Sequence, residues 1–169
     1  MENNLDTHQR FKNQTTSFIK RNKKKLIYML LILIISVFLI LYFFYQNEKK
    51  NNLISEKFIQ AGLYLSSDNV SDAKNIYDEI INSGNVFYST LALNVLIEKN
   101  LEKNEKLILK YFKTIEDMSQ SDDKRDLLVF KKALYLMKNS NTKEAELIFK
   151  DLINKNSKLK SLAEKIISK

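Results

Sequence analysis

One uninterrupted apolar segment constrains this chain more than any other feature of its sequence. Residues 26–45 read LIYMLLILIISVFLILYFFY, twenty residues without a charged side chain. At 1.5 Å of rise per residue, an α-helix of this length extends about 30 Å, the thickness of the hydrocarbon core of a bilayer. The one clearly polar residue near the middle is Ser36, whose hydroxyl can donate to a backbone carbonyl of its own helix. We therefore expect 26–45 to be a transmembrane helix.

Charged residues are distributed unequally around this segment. Residues 1–25 contain seven basic and two acidic residues, and five of the basic ones crowd against the apolar segment: Lys20, Arg21, Lys23, Lys24 and Lys25. The positive-inside rule then predicts a cytoplasmic tail at 1–25 and a C-terminal domain on the other side of the membrane. A cleaved signal peptide would have a shorter apolar core of about 7–15 residues, followed by small residues. Bulky aromatic residues end the segment here, so we predict an uncleaved signal-anchor.

The basic tail has a second interpretation, which is binding to ribosomal RNA or to anionic lipid beyond its role in topology. The overall charge of +8 does not by itself indicate nucleic-acid binding, because most of it lies in this tail. We expect no specific contact with nucleic acid.

The rest of the sequence favours an all-α fold. It has two glycines, no proline and no cysteine in the whole chain, whereas β-rich folds need many glycine- or proline-containing turns. A polar linker at 46–53 precedes a domain at 54–169, in which apolar residues recur at helical spacing. This periodicity predicts helices near 54–66, 70–82, 86–99, 102–118, 123–138, 141–154 and 158–167.

Three of these helices share one spacing, a small or apolar residue followed four residues later by an aromatic one. The pairs are Ala73 and Tyr77, Leu107 and Tyr111, and Ala145 and Phe149. Their first members are 34 and then 38 residues apart, and a period in the thirties is typical of paired-helix solenoids.

This pattern resembles the tetratricopeptide repeat, in which a small residue in the first helix of a pair precedes a small and an aromatic residue in the second. Two first helices carry matching residues: Ala61 and Tyr64, and Ala133 and Leu136. In the middle unit, Ala92 and Val95 lie about three residues out of step with Leu107 and Tyr111. The resemblance implies a small α-solenoid of about three degenerate helix pairs over 54–157. An unrelated helical bundle with similar apolar stripes is the alternative.

The last predicted helix has an apolar face and several lysines. A solenoid needs a helix that closes its open end, and 158–167 suits that role. A basic amphipathic helix that lies on a membrane surface has the same pattern.

No motif in the sequence indicates catalysis. The chain contains no metal-ligand cluster, no nucleophile paired with a histidine and no glycine-rich phosphate loop, and its single histidine, His8, lies in the polar tail. We predict a protein that is not an enzyme and that has no cofactor and no metal site.

The layout as a whole resembles the bacterial inner-membrane family that includes the ancillary subunit of the SecYEG translocon. That resemblance implies a single-pass protein with a periplasmic domain, which associates with translocon subunits or periplasmic chaperones and assists the handling of secreted or membrane proteins. Two alternatives remain open. One is a scaffold for another envelope complex, and the other is a receptor in a eukaryotic organelle membrane, which glycosylation at Asn69 in the sequence Asn69-Val70-Ser71 would support.

Overall fold

The computed structural model describes the backbone of residues 3–168 and the side chains of residues 22–25 and 27–168. The described residues form seven α-helices and no strand, which confirms the predicted all-α class. The helices are α1 (Asn3–Ser66), α2 (Val70–Ile81), α3 (Val86–Glu98), α4 (Glu105–Met118), α5 (Asp122–Lys138), α6 (Thr142–Asn154) and α7 (Lys160–Ile167).

The structure divides into two units between Lys50 and Asn51, and α1 runs through that boundary. The segment predicted as a linker, 46–53, is helical, because it contains no glycine or proline to end the helix. In the first unit, α1 is long and apolar enough to cross a membrane. Its large apolar side chains between 27 and 45 are exposed, from 42% at Ile34 to 71% at Phe44. The Ser36 hydroxyl donates to the Leu33 carbonyl at 2.7 Å, as predicted.

In the second unit, each helix packs against the next along the chain, and alternate helices also touch. The rings of Phe58 in α1 and Tyr88 in α3 lie 5.9 Å apart, and Tyr111 in α4 donates to Asp78 in α2. Helix α3 therefore contacts α1 as well as α2, and α4 contacts α2 as well as α3.

The core of this unit consists of two apolar clusters. The first has thirteen buried residues, which run from Ala61 in α1 to Leu128 in α5, and the second has seven, from Phe130 in α5 to Ala163 in α7. Helix α5 therefore contributes to both clusters, and the boundary between them falls within its first half.

Four helix ends share one turn geometry, with a residue in the left-handed region at φ between 51° and 66°. The N–H of the next residue then donates to the carbonyl five positions back, which satisfies a backbone group that the helix end would leave unpaired. None of the four left-handed residues is glycine: they are Asp68, Asn100, Ser140 and Asn156. Their turn bonds run from Asn69 to Tyr64, Leu101 to Leu96, Asn141 to Leu136 and Ser157 to Leu152.

These turns fix the register of the helix pairs. In the first and third pairs, the left-handed residue is followed at once by the N-cap asparagine, whereas residues 101–103 intervene in the middle pair. Four residues after each N-cap stands a side chain with no exposed surface: Ala73, Ile108 and Ala145. Counted from its N-cap, α4 has Ile108 at the position of Ala73 in α2 and Phe112 at the position of Tyr77, whereas the sequence pattern paired Leu107 with Tyr111.

Candidate functional site

Helices α3 and α5 form the walls of a groove on the second unit. Its wall on α5 is a stripe in which basic and apolar side chains alternate at steps of three and four residues. Such steps keep side chains on one helix face, here over about 21 Å. The stripe consists of Lys124, Leu127, Lys131, Leu134 and Lys138, and we call it the Lys–Leu stripe.

The opposite wall and the floor are largely apolar. Helix α3 contributes Phe87 and Leu91 at one end and Asn94 and Glu98 toward the other. Phe112 of α4 lies at the floor, and its ring centroid is 6.0 Å from that of Tyr135 in α5. The groove holds two cavities of about 260 and 240 Å³, and Asn94 and Lys131 line both. The two cavities are therefore neighbouring parts of one groove.

Two large apolar side chains, one aromatic and one aliphatic, are exposed to solvent at one end of this groove. Phe87 is 65% exposed and Leu127 is 47% exposed, although both line the same cavity. Exposed large apolar groups that share a concave surface mark binding sites more often than isolated ones do.

The charge of the groove is positive. Lys131 donates to the Asn94 side-chain oxygen at 3.3 Å, and neither Lys124 nor Lys138 forms an ion pair with any described residue. The one carboxylate that lines it is Glu98, near the Lys138 end. Three lysines and one glutamate thus leave an excess of positive charge along an apolar floor.

The one group in the groove with a shifted pKa is Tyr135. Burial raises the pKa of its hydroxyl above the usual 10.0, and the nearby carboxylates of Glu105 and Glu102 raise it further. The hydroxyl therefore keeps its proton at neutral pH and can donate a hydrogen bond to a bound molecule.

A polar cluster joins α4 and the turn before it to α2. Glu102, in the longer middle turn, pairs with Lys74 at 2.6 Å and accepts the Asn104 N–H at 2.7 Å. The Lys74 hydrogen bond, followed by that of Asn104, lowers the pKa of Glu102. The Tyr111 hydroxyl donates to Asp78 at 2.6 Å, and burial, followed by this carboxylate, raises the pKa of Tyr111. Every member has a partner within the fold, so the cluster stabilises the contact between the two helices.

The residues predicted to pack the repeats lie in the core and not in the groove. Eight are buried, while Tyr64 and Leu107 are half-buried. The buried eight are Ala61, Ala73, Tyr77, Tyr111, Ala133, Leu136, Ala145 and Phe149. Of the predicted topology signal, the side chains of Lys23, Lys24 and Lys25 are exposed, and those of Lys20 and Arg21 lie outside the described residues.

Sequence reasoning missed the groove residues, although one signal pointed to them. Lysines recur at positions 124, 131 and 138, seven residues apart, with leucines at the same interval between them. Among the side chains that the structure describes, no three histidines or carboxylates come close enough to hold a metal ion. Comparisons with models of protein families, with curated proteins and with solved structures find no match for this chain.

Proposed function

We propose that the protein is a membrane-anchored protein-interaction module, whose groove between α3 and α5 binds a segment of another protein. The observation that carries this proposal is the groove itself, which combines exposed apolar side chains with lysines that have no ion-pair partner. A long apolar helix on the same chain would hold the module at a membrane.

The anchoring role rests on the exposed surface of residues 27–45. Burying apolar surface is worth roughly 25 cal/mol per Å², so a helix that leaves its whole apolar circumference open is strongly favoured to enter a bilayer. Lysines at 23–25 precede the segment, and the positive-inside rule then puts the N-terminus in the cytoplasm and the domain outside it. In a bacterium this arrangement corresponds to the inner membrane, with a periplasmic domain.

The assignment of tetratricopeptide-like pairs to the domain is supported by two turns 72 residues apart. In each, a left-handed residue is followed by an N-cap asparagine and, four residues on, by a fully buried alanine: Asp68, Asn69 and Ala73, then Ser140, Asn141 and Ala145. Helix α7 would close the solenoid, since Ala163 is buried and Ile166 and Ile167 pack on the second cluster.

The partners that we propose are translocon subunits or periplasmic chaperones, so that the module assists the handling of secreted or membrane proteins. The chain's layout of tail, apolar helix and helical domain supports this choice. A scaffold for another envelope complex would use the same groove, and the two roles differ only in the identity of the bound protein.

The experiment is site-specific photocrosslinking of the full-length protein in its own membranes. A photoreactive residue replaces Leu127 in the groove, and the matched control replaces Leu147, which is 67% exposed on α6. Adducts seen only at position 127 and containing translocon subunits or chaperones would support the handling role, and another defined complex would indicate the scaffold. Equal adducts at both positions, or none at 127, would contradict binding in the groove.

A further inference from the structure

The Lys–Leu stripe has a repeat distance that a bound segment must match. Successive lysines are seven residues apart on α5, which is about 10.5 Å along the helix axis. A second α-helix laid beside α5 repeats its own side chains at the same interval of two turns. A β-strand rises about 3.3 Å per residue and returns to the same face every two residues, so it does not reproduce a 10.5 Å step.

The charge and the apolar floor define the side chains that would fit. Lys124 lines a part of the groove that contains no carboxylate, whereas Lys131 and Lys138 line the other part together with Glu98. Phe87 and Leu127 form an open apolar patch at the other end. An occupant that satisfies both features has an apolar face that covers the leucines, with carboxylates at its edges.

Resting on the proposed function, we infer that the groove binds an acidic amphipathic α-helix of another protein, about four turns long. Its apolar face packs on Phe87, Leu127 and Leu134, and its carboxylates pair with Lys124 and Lys138, neither of which has an ion-pair partner among the described residues. The length follows from the distance of about 21 Å between Lys124 and Lys138 along α5.

Two other occupants fit the structure less well. A flat bilayer surface meets the lysines but does not follow the concave surface between α3 and α5 that Phe87 and Leu127 share. In a second copy of this chain, the apolar faces of α2, α4 and α6 are already buried in the core. The exposed apolar residues of α1 in this unit, Leu53, Ile59 and Leu63, lie in a segment whose one carboxylate is balanced by one lysine, so it has no negative charge to match the stripe.

The test measures peptide binding to the full-length protein in phosphatidylcholine nanodiscs by fluorescence anisotropy. Three 18-residue peptides share one leucine stripe: the first has flanking glutamates, the second has lysines in their place, and the third has the glutamates and a central proline. We expect the first to bind at least tenfold more tightly than the other two, because the second is repelled and the third cannot form the whole helix.

Charge-reversal variants identify the site. Lys124→Glu combined with Lys138→Glu should weaken binding of the glutamate peptide about tenfold, a loss of about 1.4 kcal/mol, and should increase binding of the lysine peptide. The control, Lys143→Glu with Lys165→Glu, makes the same change in net charge at exposed positions outside the groove and should alter binding less than twofold. The double variant Lys124→Gln with Lys138→Gln removes both positive charges without reversing them. It should weaken binding of the glutamate peptide by an intermediate amount.

Two results would overturn the inference. The first is equal binding of the glutamate and lysine peptides, and the second is an equal loss in the groove variant and its control. If photocrosslinks to proteins at position 127 persist in native membranes after either result, the proposed function stands and only the acidic helix is wrong. Lipid adducts at position 127, with peptide binding abolished in phosphatidylglycerol nanodiscs, would overturn both.

Discussion

Ser140 holds a left-handed backbone conformation, with φ at 66°, in the turn between α5 and α6. A side chain in this region costs roughly 1–2 kcal/mol relative to a right-handed conformation, and a serine gains less local compensation there than an asparagine. Ser140→Gly should therefore raise the free energy of unfolding by about 0.5–1 kcal/mol, after the greater entropy of glycine in the unfolded chain is subtracted. Urea unfolding of the detergent-solubilised chain, followed by circular dichroism, measures the change.

The neighbouring Asn139 provides the control for this prediction. Its φ is −97°, which any residue adopts, and its side chain donates to the Tyr135 carbonyl at 2.9 Å. Asn139→Gly should lower stability, so a gain from both glycines would show that strain at position 140 is not the cause.

Glu102 makes the stability of the domain depend on pH in the acidic range. The direction of this dependence follows from the shift of its pKa. Lys74 and the Asn104 N–H lower that pKa in the folded state, so the unfolded chain binds more protons between the two pKa values. The stability from this carboxylate is complete above about pH 4.5, the usual value for glutamate, and is lost as pH falls through the lowered pKa.

Glu102→Gln should therefore be less stable than the parent chain at pH 7, and the difference should shrink below pH 4.5. Chemical unfolding across pH 3 to 7 tests this expectation. Glu98→Gln is the control, because Glu98 forms no ion pair among the described residues. A constant difference between Glu102→Gln and the parent across this range would exclude the carboxylate as its source.

At the scale of the helices, the register of α4 can be tested with two adjacent positions. Ile108 has no exposed surface and belongs to the first cluster, while Leu107 is only half-buried. Ile108→Ala should lower the free energy of unfolding by about 2–4 kcal/mol, and Leu107→Ala by less than half of that, because the cost of truncation grows with the cavity it leaves. The reverse order of the two losses would instead support Leu107 as the packing residue, as predicted from the sequence.

At the buried alanines of α2 and α6, we expect added side-chain volume, and not its removal, to destabilise the chain. Ala73 and Ala145 have no exposed surface, and the helices that they separate leave no room for added methylenes. Ala73→Leu and Ala145→Leu should each destabilise the chain by about 1–3 kcal/mol. Lys143→Leu, at an exposed position of α6, is the control for added apolar volume. Unchanged unfolding in both alanine variants would contradict close packing at these positions.

The helices of the second unit were largely predictable because apolar residues mark their buried faces. Polar residues and N-cap asparagines then mark their ends, so α2, α3, α5 and α6 begin and end within one residue of the prediction. Helix α4 begins three residues late, at Glu105, because Leu101–Lys103 continue the preceding turn. Periodicity cannot detect this insertion, since Leu101 has the spacing of a helical core residue.

The groove was not predictable from the same pattern. Sequence periodicity shows that α5 has a polar face, but the neighbour of each face depends on how the helices pack. The stripe from Lys124 to Lys138 therefore has the same pattern as an ordinary solvated face until α3 is placed beside it.

At the scale of the whole molecule, the proposed orientation in the membrane rests on the lysines before the apolar segment. Moving Lys23–Lys25 to follow Tyr45 should weaken or invert the orientation of the chain. Because the chain has no cysteine, single cysteines at Ser17 and Ser168 report each side by labelling with a membrane-impermeant maleimide. An exchange of three asparagines between the same positions is the control, and unaltered labelling after the lysine exchange would exclude these lysines as the determinant.

Helix α5 belongs to both core clusters and also forms one wall of the groove. If the chain is stretched between α1 and α7, we expect α5 to separate from α4 before it separates from α6, because its contact with α6 is the more extensive. Helix α5 then leaves α3 with the second cluster, while the first cluster still holds α1 to α4 together. If the groove binds a protein segment as proposed, tension along the chain would therefore release that segment before the rest of the domain unfolds.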